Sequence, residues 1–117
     1  SILMFSTVAV QKGLPYHTSI SAAKGAVEGF ARSLASELAP KIRVNVIAPS
    51  LTDTPLAAKL LANDQRRNSG AERHPLKRIG QPQDIATLAS FLLTEKSDWI
   101  TGQVFAVDGG LSSISTG

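Results

Sequence analysis

The sequence lacks several residue types and patterns that would point to particular functions. It contains no cysteine, which excludes disulfides and thiolate metal sites. Its two histidines, His17 and His74, lie far apart without metal-ligand spacing, so we expect no metal site. No apolar run approaches the ~20 residues of a membrane span, and no signal peptide is visible. These absences favour a cytoplasmic protein with no membrane partner.

Positive charge is in slight excess. Twelve Lys and Arg face nine Asp and Glu, giving a formal net charge of +3. Only Arg66-Arg67, Arg73 and Lys77-Arg78 come close to clustering, and no aromatic residues are interleaved with them. Nucleic-acid surfaces combine a basic stripe with a recognisable motif, and neither is present here. The pattern indicates a solvated basic loop and no nucleic-acid partner.

Three short apolar runs predict buried strands. They are β-branched or continuously apolar, as parallel strands covered on both faces are. The runs lie at residues 1–5, 42–48 and 103–107.

Apolar residues at three-and-four spacing predict helices between these strands. The longest runs from His17 towards Pro40, with Thr18 or Ser19 as its cap. A short helix is expected over 55–62 and a longer one over 81–95, with Asp84 as a capping residue. Residues 63–80 are polar, and we expect a mobile loop there.

The order of these elements is strand, helix, strand, helix, helix, strand. It predicts an α/β fold: a partial doubly wound (Rossmann-like) parallel sheet of about three strands and three helices. Three apolar strands leave open edges and uncovered faces. The chain also starts directly on the apolar run SILMF without Met. We therefore expect residues 1–117 to be the C-terminal part of a single Rossmann-type domain.

Three segments carry a family resemblance: AAKGAVEGFARSLASELAPKIRVNVIAPS, LTDTPL and RIGQPQDIATLASFLLTEKSDWITGQVFAVDGG. In this order they resemble the C-terminal half of a short-chain dehydrogenase/reductase. The resemblance implies hydride transfer between NAD or NADP and an alcohol or carbonyl substrate, in a homo-oligomer. The glycine-rich fingerprint that holds the cofactor pyrophosphate is not in this sequence. We therefore expect the dinucleotide-binding half to be absent and cofactor binding by this chain alone to be weak.

The family pattern also assigns catalytic positions. It has a serine, a tyrosine thirteen residues later, and a lysine four residues after that. The resemblance places Lys24 at the lysine, Ile20 at the tyrosine and Thr7 at the serine, with Ser6 beside it. Tyrosine and lysine at this spacing share one helix face, and the ammonium lowers the phenol's pKa so that it can relay a proton. Isoleucine has no proton to give, so we expect the chain to be inactive as it stands.

Two alternatives stay open at this position. Tyr16 or His17 could supply the missing proton if the start of the helix were unwound. Alternatively, the protein is a non-catalytic pseudoenzyme, or an oligomerisation or interaction module of dehydrogenase ancestry. Ile20 motivates this second alternative.

The loop after the second strand supplies the remaining expected contacts. In the family it meets the nicotinamide and phosphates, and the resemblance assigns cofactor binding to Lys24, Pro49, Ser50, Thr52 and Thr54. Ser50 stands where the family has glycine, which adds a β-carbon close to the cofactor. A plain strand-to-helix connection explains the same residues, so that alternative is also kept.

Overall fold

The computed structural model describes residues 1–116, and three strands alternate in it with helices. In chain order these elements are β1 (Ile2–Phe5), α1 (Thr18–Leu38), β2 (Val44–Pro49), a 3₁₀ segment (Pro55–Leu61), α2 (Asp64–Arg73), α3 (Pro82–Leu92), a 3₁₀ turn (Glu95–Ser97) and β3 (Val104–Val107). Within the described part of the chain, no helix combines the length and the hydropathy needed to cross a bilayer.

The three strands form one parallel sheet in the order β1-β2-β3. Ile2 lies opposite Val44 on one side of β2, and Val46 lies opposite Val104 on the other. Residues 44–48 of β2 are all buried. The structure therefore confirms the three predicted strands and the parallel α/β architecture.

Helix α1 covers one face of the sheet with small side chains. Ala31 and Ala35 are buried against Val44 and Val46, and their size lets the helix approach the strand closely. Partly buried apolar residues surround this contact: Ile2, Met4, Leu34, Leu38 and Val104. The C-terminal half of α1 thus forms the main core with the centre of the sheet.

Polar side chains of β2 organise the opposite face. Successive strand residues point to opposite faces, so Arg43 and Asn45 lie across the sheet from Val44. The Arg43 guanidinium donates to the carbonyls of Ile100 (3.1 Å), Leu92 (3.2 Å) and Thr94 (2.9 Å). Asn45, 1% exposed, donates to Ile100 O at 3.0 Å. These bonds fasten the end of α3 to this face, which puts helices on both sides of the sheet.

The start of α1 differs from the prediction. The N-cap is His17, and no side chain caps the helix, so the assignment of Thr18 or Ser19 was wrong. Two apolar residues of the helix, Ile20 (42% exposed) and Phe30 (58% exposed), stay open to solvent although both belong to its three-and-four apolar pattern.

The region predicted as a mobile loop contains helix α2, and that prediction was wrong. Asn63 caps this helix, since its Oδ1 accepts from the backbone N–H of Arg66 at 2.9 Å. Gly70 packs against Leu51 and Ile79 so closely that a β-carbon there would lie 2.8 Å from Ile79 Cδ1. The helix is polar on nearly every face, so hydrophobic periodicity gives no sign of it.

Substitution of the central strand provides a test of this packing. Ile47 is 0% exposed, so Ile47→Ala should lower the free energy of unfolding by about 2–5 kcal/mol through lost burial and an unfilled cavity. Urea denaturation measures the change. Ile42→Ala, at a site just before β2 that is 37% exposed, is the matched control and should cost clearly less. Equal losses for the two variants would contradict the central position of β2.

Candidate functional site

The carboxyl ends of all three strands meet at one edge of the sheet. The N–H of Val8, after β1, donates to Pro49 O at 3.2 Å, and the N–H of Ser50 donates to Val107 O at 3.2 Å. These bonds bring the segment after β1, the loop after β2 and the end of β3 into contact. In parallel α/β sheets this edge is where ligands bind.

Lys24 lies at this edge, beside the end of β1. Its ammonium donates to the carbonyl of Phe5 at 3.3 Å, and the residue is half-buried. The buried hydroxyl of Ser6 donates to the carboxylate of Glu28. Thr7 Oγ1 accepts from the N–H of Ala9 at 3.3 Å, which leaves its own O–H to donate elsewhere. Of the two hydroxyls considered at the serine position, that of Thr7 donates no hydrogen bond within the described residues, whereas that of Ser6 donates to Glu28.

Ile20 precedes Lys24 by one turn on the same face of α1. Its side chain is 42% exposed and carries only carbon and hydrogen. This face of α1 therefore carries an ammonium at Lys24 and an aliphatic group one turn earlier at Ile20. The isoleucine cannot transfer a proton.

Tyr16 and His17 both lie ahead of the first turn of α1. Tyr16 has φ of 64° and a fully exposed ring, whereas the Nδ1 of His17 lies 2.7 Å from Pro15 O. Both residues precede the first residue of α1, and His17 is seven residues before Lys24, which is ~10 Å along a helix axis.

An unexpected pair, Ser50 and His74, fixes the loop after β2. Ser50 Oγ lies 2.7 Å from Nε2 of His74, and Nδ1 of His74 lies 2.6 Å from Gly70 O. Because a carbonyl only accepts, Nδ1 carries the proton; Nε2 therefore accepts from the serine hydroxyl. His74 is 3% exposed. Ser50 thus turns its side chain towards α2, and no short-range sequence signal predicts a pair 24 residues apart.

The rest of the loop is held by its own backbone and by the segment before α3. Thr52 Oγ1 donates to Ser50 O at 3.0 Å. The N–H of Asp53 donates to Gly80 O at 2.8 Å, and the N–H of Gly80 donates to Leu51 O at 3.1 Å. Thr54 ends the loop, and its carbonyl accepts from the first turn of the following 3₁₀ segment. The sequence-predicted loop residues therefore belong to one stiffly held segment.

A cavity of about 180 Å³ lies between this loop and the end of β3. Its polar lining includes Ser50, Thr52, His74, Arg78, Asp84 and Asp108. Burial pushes the pKa of Asp108 up, but hydrogen bonds from Ser112 and Gly110 outweigh it and hold the pKa below its ordinary value. Across residues 1–116, no three His, Asp or Glu side chains are grouped so that they could hold a metal ion.

Comparison with known proteins identifies the family. A family model described as enoyl-(acyl carrier protein) reductase matches residues 1–112. The chain is 41% identical over 113 residues to a 3-oxoacyl-[acyl-carrier-protein] reductase of Chlamydia trachomatis, covering 96% of this chain and 45% of that one. It is also 41% identical to the inactive 2-(S)-hydroxypropyl-CoM dehydrogenase 2 of Xanthobacter autotrophicus, over 97% of this chain and 52% of the relative. The chain belongs to the short-chain dehydrogenase/reductase family, and it spans about half the length of these relatives.

Solved structures agree with this assignment. ElxO with NADP bound superimposes with a TM-score of 0.88 at 31% identity, over 97% of this chain and 46% of that one. A 4-hydroxyisoleucine dehydrogenase complexed with NADH gives a TM-score of 0.90 at 28% identity, over 97% and 47%. The partial Rossmann-like fold predicted from the sequence is confirmed.

The hydrogen bond between Ser50 and His74 should contribute measurably to stability. Ser50→Ala leaves the buried Nε2 without its donor, so we expect a loss of about 1–3 kcal/mol in the free energy of unfolding. Urea denaturation measures it. The control Ser36→Ala, on an exposed position of α1, should change stability by less than about 0.5 kcal/mol. If the two variants lose the same amount, the bond does not hold the loop.

The lowered pKa of the Asp84 carboxyl can be tested by a pH titration. Hydrogen bonds from Arg78 (2.7 and 2.9 Å) and from the backbone of Gln81 (2.7 Å) lower its pKa from 3.8 to about 2, and the latter bond confirms its capping role. Because the pKa is lowered, the stabilisation is present above about pH 4 and is lost as the pH falls through about 2. A carboxyl NMR titration should give this midpoint, and Arg78→Gln should raise it. An unchanged midpoint in the variant would rule out the ion pair as the cause.

Proposed function

We propose that residues 1–117 form the C-terminal part of a single NAD(P)-dependent oxidoreductase domain, and that this part binds the nicotinamide end of the cofactor but lacks the family's proton donor. One observation carries the proposal: Lys24 lies beside the end of β1, whereas Ile20 occupies the preceding turn of the same helical face. The dinucleotide-binding half of the domain would be formed by residues outside 1–117.

The residues at the sheet edge fit the cofactor in part. The Lys24 ammonium is half-buried and can donate to ribose hydroxyls, and the loop with Pro49, Ser50, Thr52 and Thr54 lies at the same edge. The side chain of Ser50 is bonded to His74, which turns the added hydroxyl towards α2. Ser50 therefore replaces the family's glycine with a side chain that is hydrogen-bonded to His74, the residue after α2. Either NAD or NADP would supply the hydride chemistry when bound.

The site lacks a group that can donate a proton to the substrate. A substrate alcohol or carbonyl would meet the hydroxyl of Thr7, while the position one turn before Lys24 offers only the alkyl group of Ile20. Loss of a general acid typically lowers the rate by ~10²–10⁴-fold. Tyr16 and His17 precede the helix and lie about two turns before Lys24, so neither replaces the tyrosine in this proposal. The chain then has little or no turnover as it stands.

A second candidate function is a non-catalytic interaction module. Ile20 and Phe30 of α1 are apolar and solvent-exposed, so a partner that covered them would bury apolar surface. A homo-oligomer that covers this part of α1 would bury Ile20, the residue that leaves the site without a proton donor. This candidate requires an assembly but no cofactor.

Restoring the tyrosine tests the first candidate. The experiment uses a chimaera in which the N-terminal part of the Chlamydia reductase, which this chain does not match, precedes Ser1. In that chimaera Ile20→Tyr should raise NADPH-dependent ketone reduction by ~10²–10⁴-fold, because the phenol regains the position one turn before Lys24. The rate is measured across a panel of ketones.

Ile20→Phe is the matched control, since it adds the same ring without the hydroxyl. Its rate should stay at the parent level, and titration of NADPH fluorescence should show binding in all three proteins. Equal rates for the tyrosine and phenylalanine variants would contradict the proposed role of Ile20. Oligomers that persist while no variant binds NADPH would favour the interaction module.

A further inference from the structure

Positive charge is concentrated in one segment. Residues 55–80 contain six of the twelve Lys and Arg but only two of the nine Asp and Glu, so they carry a net +4 while the remaining residues carry −1. The sequence pattern suggests a solvated basic loop. In the structure most of this segment is ordered as a 3₁₀ segment and helix α2.

The cations of this segment divide into two groups. Three are paired with carboxylates: Arg67 with Asp53, Lys77 with Glu72, and Arg78 with Asp84. The other three are Lys59 and two arginines, and across residues 1–116 Lys59 has no carboxylate within ion-pairing distance. Arg66 donates to the carbonyl of Lys59 at 2.7 Å, and across residues 1–116 neither Arg66 nor Arg73 has a carboxylate within ion-pairing distance. Their guanidinium groups therefore keep most of their N–H donors unused.

These two arginines line the same cleft. Arg66, Ser69 and Arg73 lie three, four and seven residues apart, which places them on one face of α2. The cleft has a volume of about 600 Å³, and its other lining residues are Leu60, Asn63 and Gln65. The Oδ1 of Asn63 is used by the helix cap, which leaves its amide N–H groups. The lining offers cations, amide and hydroxyl donors and one apolar side chain, but no carboxylate.

We propose that this cleft binds the oxyanion, phosphate or carboxylate, of a small organic molecule. Arginine donates two parallel hydrogen bonds to such groups, and two arginines about 10 Å apart along the helix can converge on one anion through their long side chains. Leu60, 63% exposed, provides an apolar contact for the body of the molecule. A surface that only remained solvated would not need its two unpaired arginines on one face.

The position of the cleft connects it with the cofactor loop. Arg73 is the last residue of α2, and the next residue, His74, is bonded to Ser50. An anion held by Arg73 would therefore lie close to the loop at the carboxyl edge of the sheet. If the proposed oxidoreductase function is correct, on which this step rests, the substrate class is an alcohol or carbonyl compound with a phosphate or carboxylate at its far end.

The test uses the full chain and a simple probe. Phenyl phosphate carries the oxyanion and an apolar ring, and benzyl alcohol is the uncharged control. Titration followed by ¹H–¹⁵N NMR should give saturable shifts confined to residues 59–74 with phenyl phosphate and none with benzyl alcohol. Arg66→Gln and Arg73→Gln should each weaken binding by at least ~5-fold, because each removes charged hydrogen bonds.

Lys96→Gln removes the same charge at an exposed site outside this segment, and should weaken binding by less than ~2-fold. Circular dichroism checks that all variants are folded. Equal weakening by Lys96→Gln, or shifts spread over every basic residue, would overturn the proposal. NADPH titration of the same substitutions in the chimaera keeps the two proposals separate: unchanged NADPH affinity with lost phenyl phosphate binding supports the oxyanion site, whereas failure of the unsubstituted chimaera to bind NADPH counts against the proposed function alone.

Discussion

The structure depends on the burial of strand β2 between two parallel neighbours. Its residues 44–48 are covered on both faces, by Ala31 and Ala35 of α1 on one side and by the end of α3 on the other. Register is strict under these conditions, because a slip of one residue would exchange Val46 with Asn45 between the two faces. The same register sets the loop after β2 between the ends of β1 and β3. Packing of the sheet therefore decides where the site residues lie.

Lys24 and Ile20 are held differently in the structure. Lys24 is held by the carbonyl of Phe5, so its position follows from the contact between α1 and β1. Ile20 lies one turn earlier and is 42% exposed, so its side chain contributes little to packing. An isoleucine can therefore occupy this position without disturbing the fold, as the proposed loss of the proton donor requires.

The sequence was sufficient for those elements whose stability comes from regular apolar burial. Strands β1, β2 and β3 were predicted from short apolar runs, and helices α1 and α3 from apolar residues at the helix period. Helix α2 was missed because its stability comes from the cap at Asn63 and the close contact of Gly70, neither of which is periodic. The pair formed by Ser50 and His74 was missed for another reason. A contact between residues 24 apart depends on the tertiary fold, which local patterns do not contain.

The hydrogen bond between Ser50 and His74 also joins two elements that show no connection in the sequence. Ser50 belongs to the loop at the carboxyl edge of the sheet, and His74 follows helix α2, which carries Arg66 and Arg73. Gly70 packs on Leu51 of the same loop, so the two elements touch along several residues. Closely packed interiors transmit strain, so a displacement of α2 would strain the loop after β2. The family's glycine would lack the side-chain hydroxyl that makes this bond.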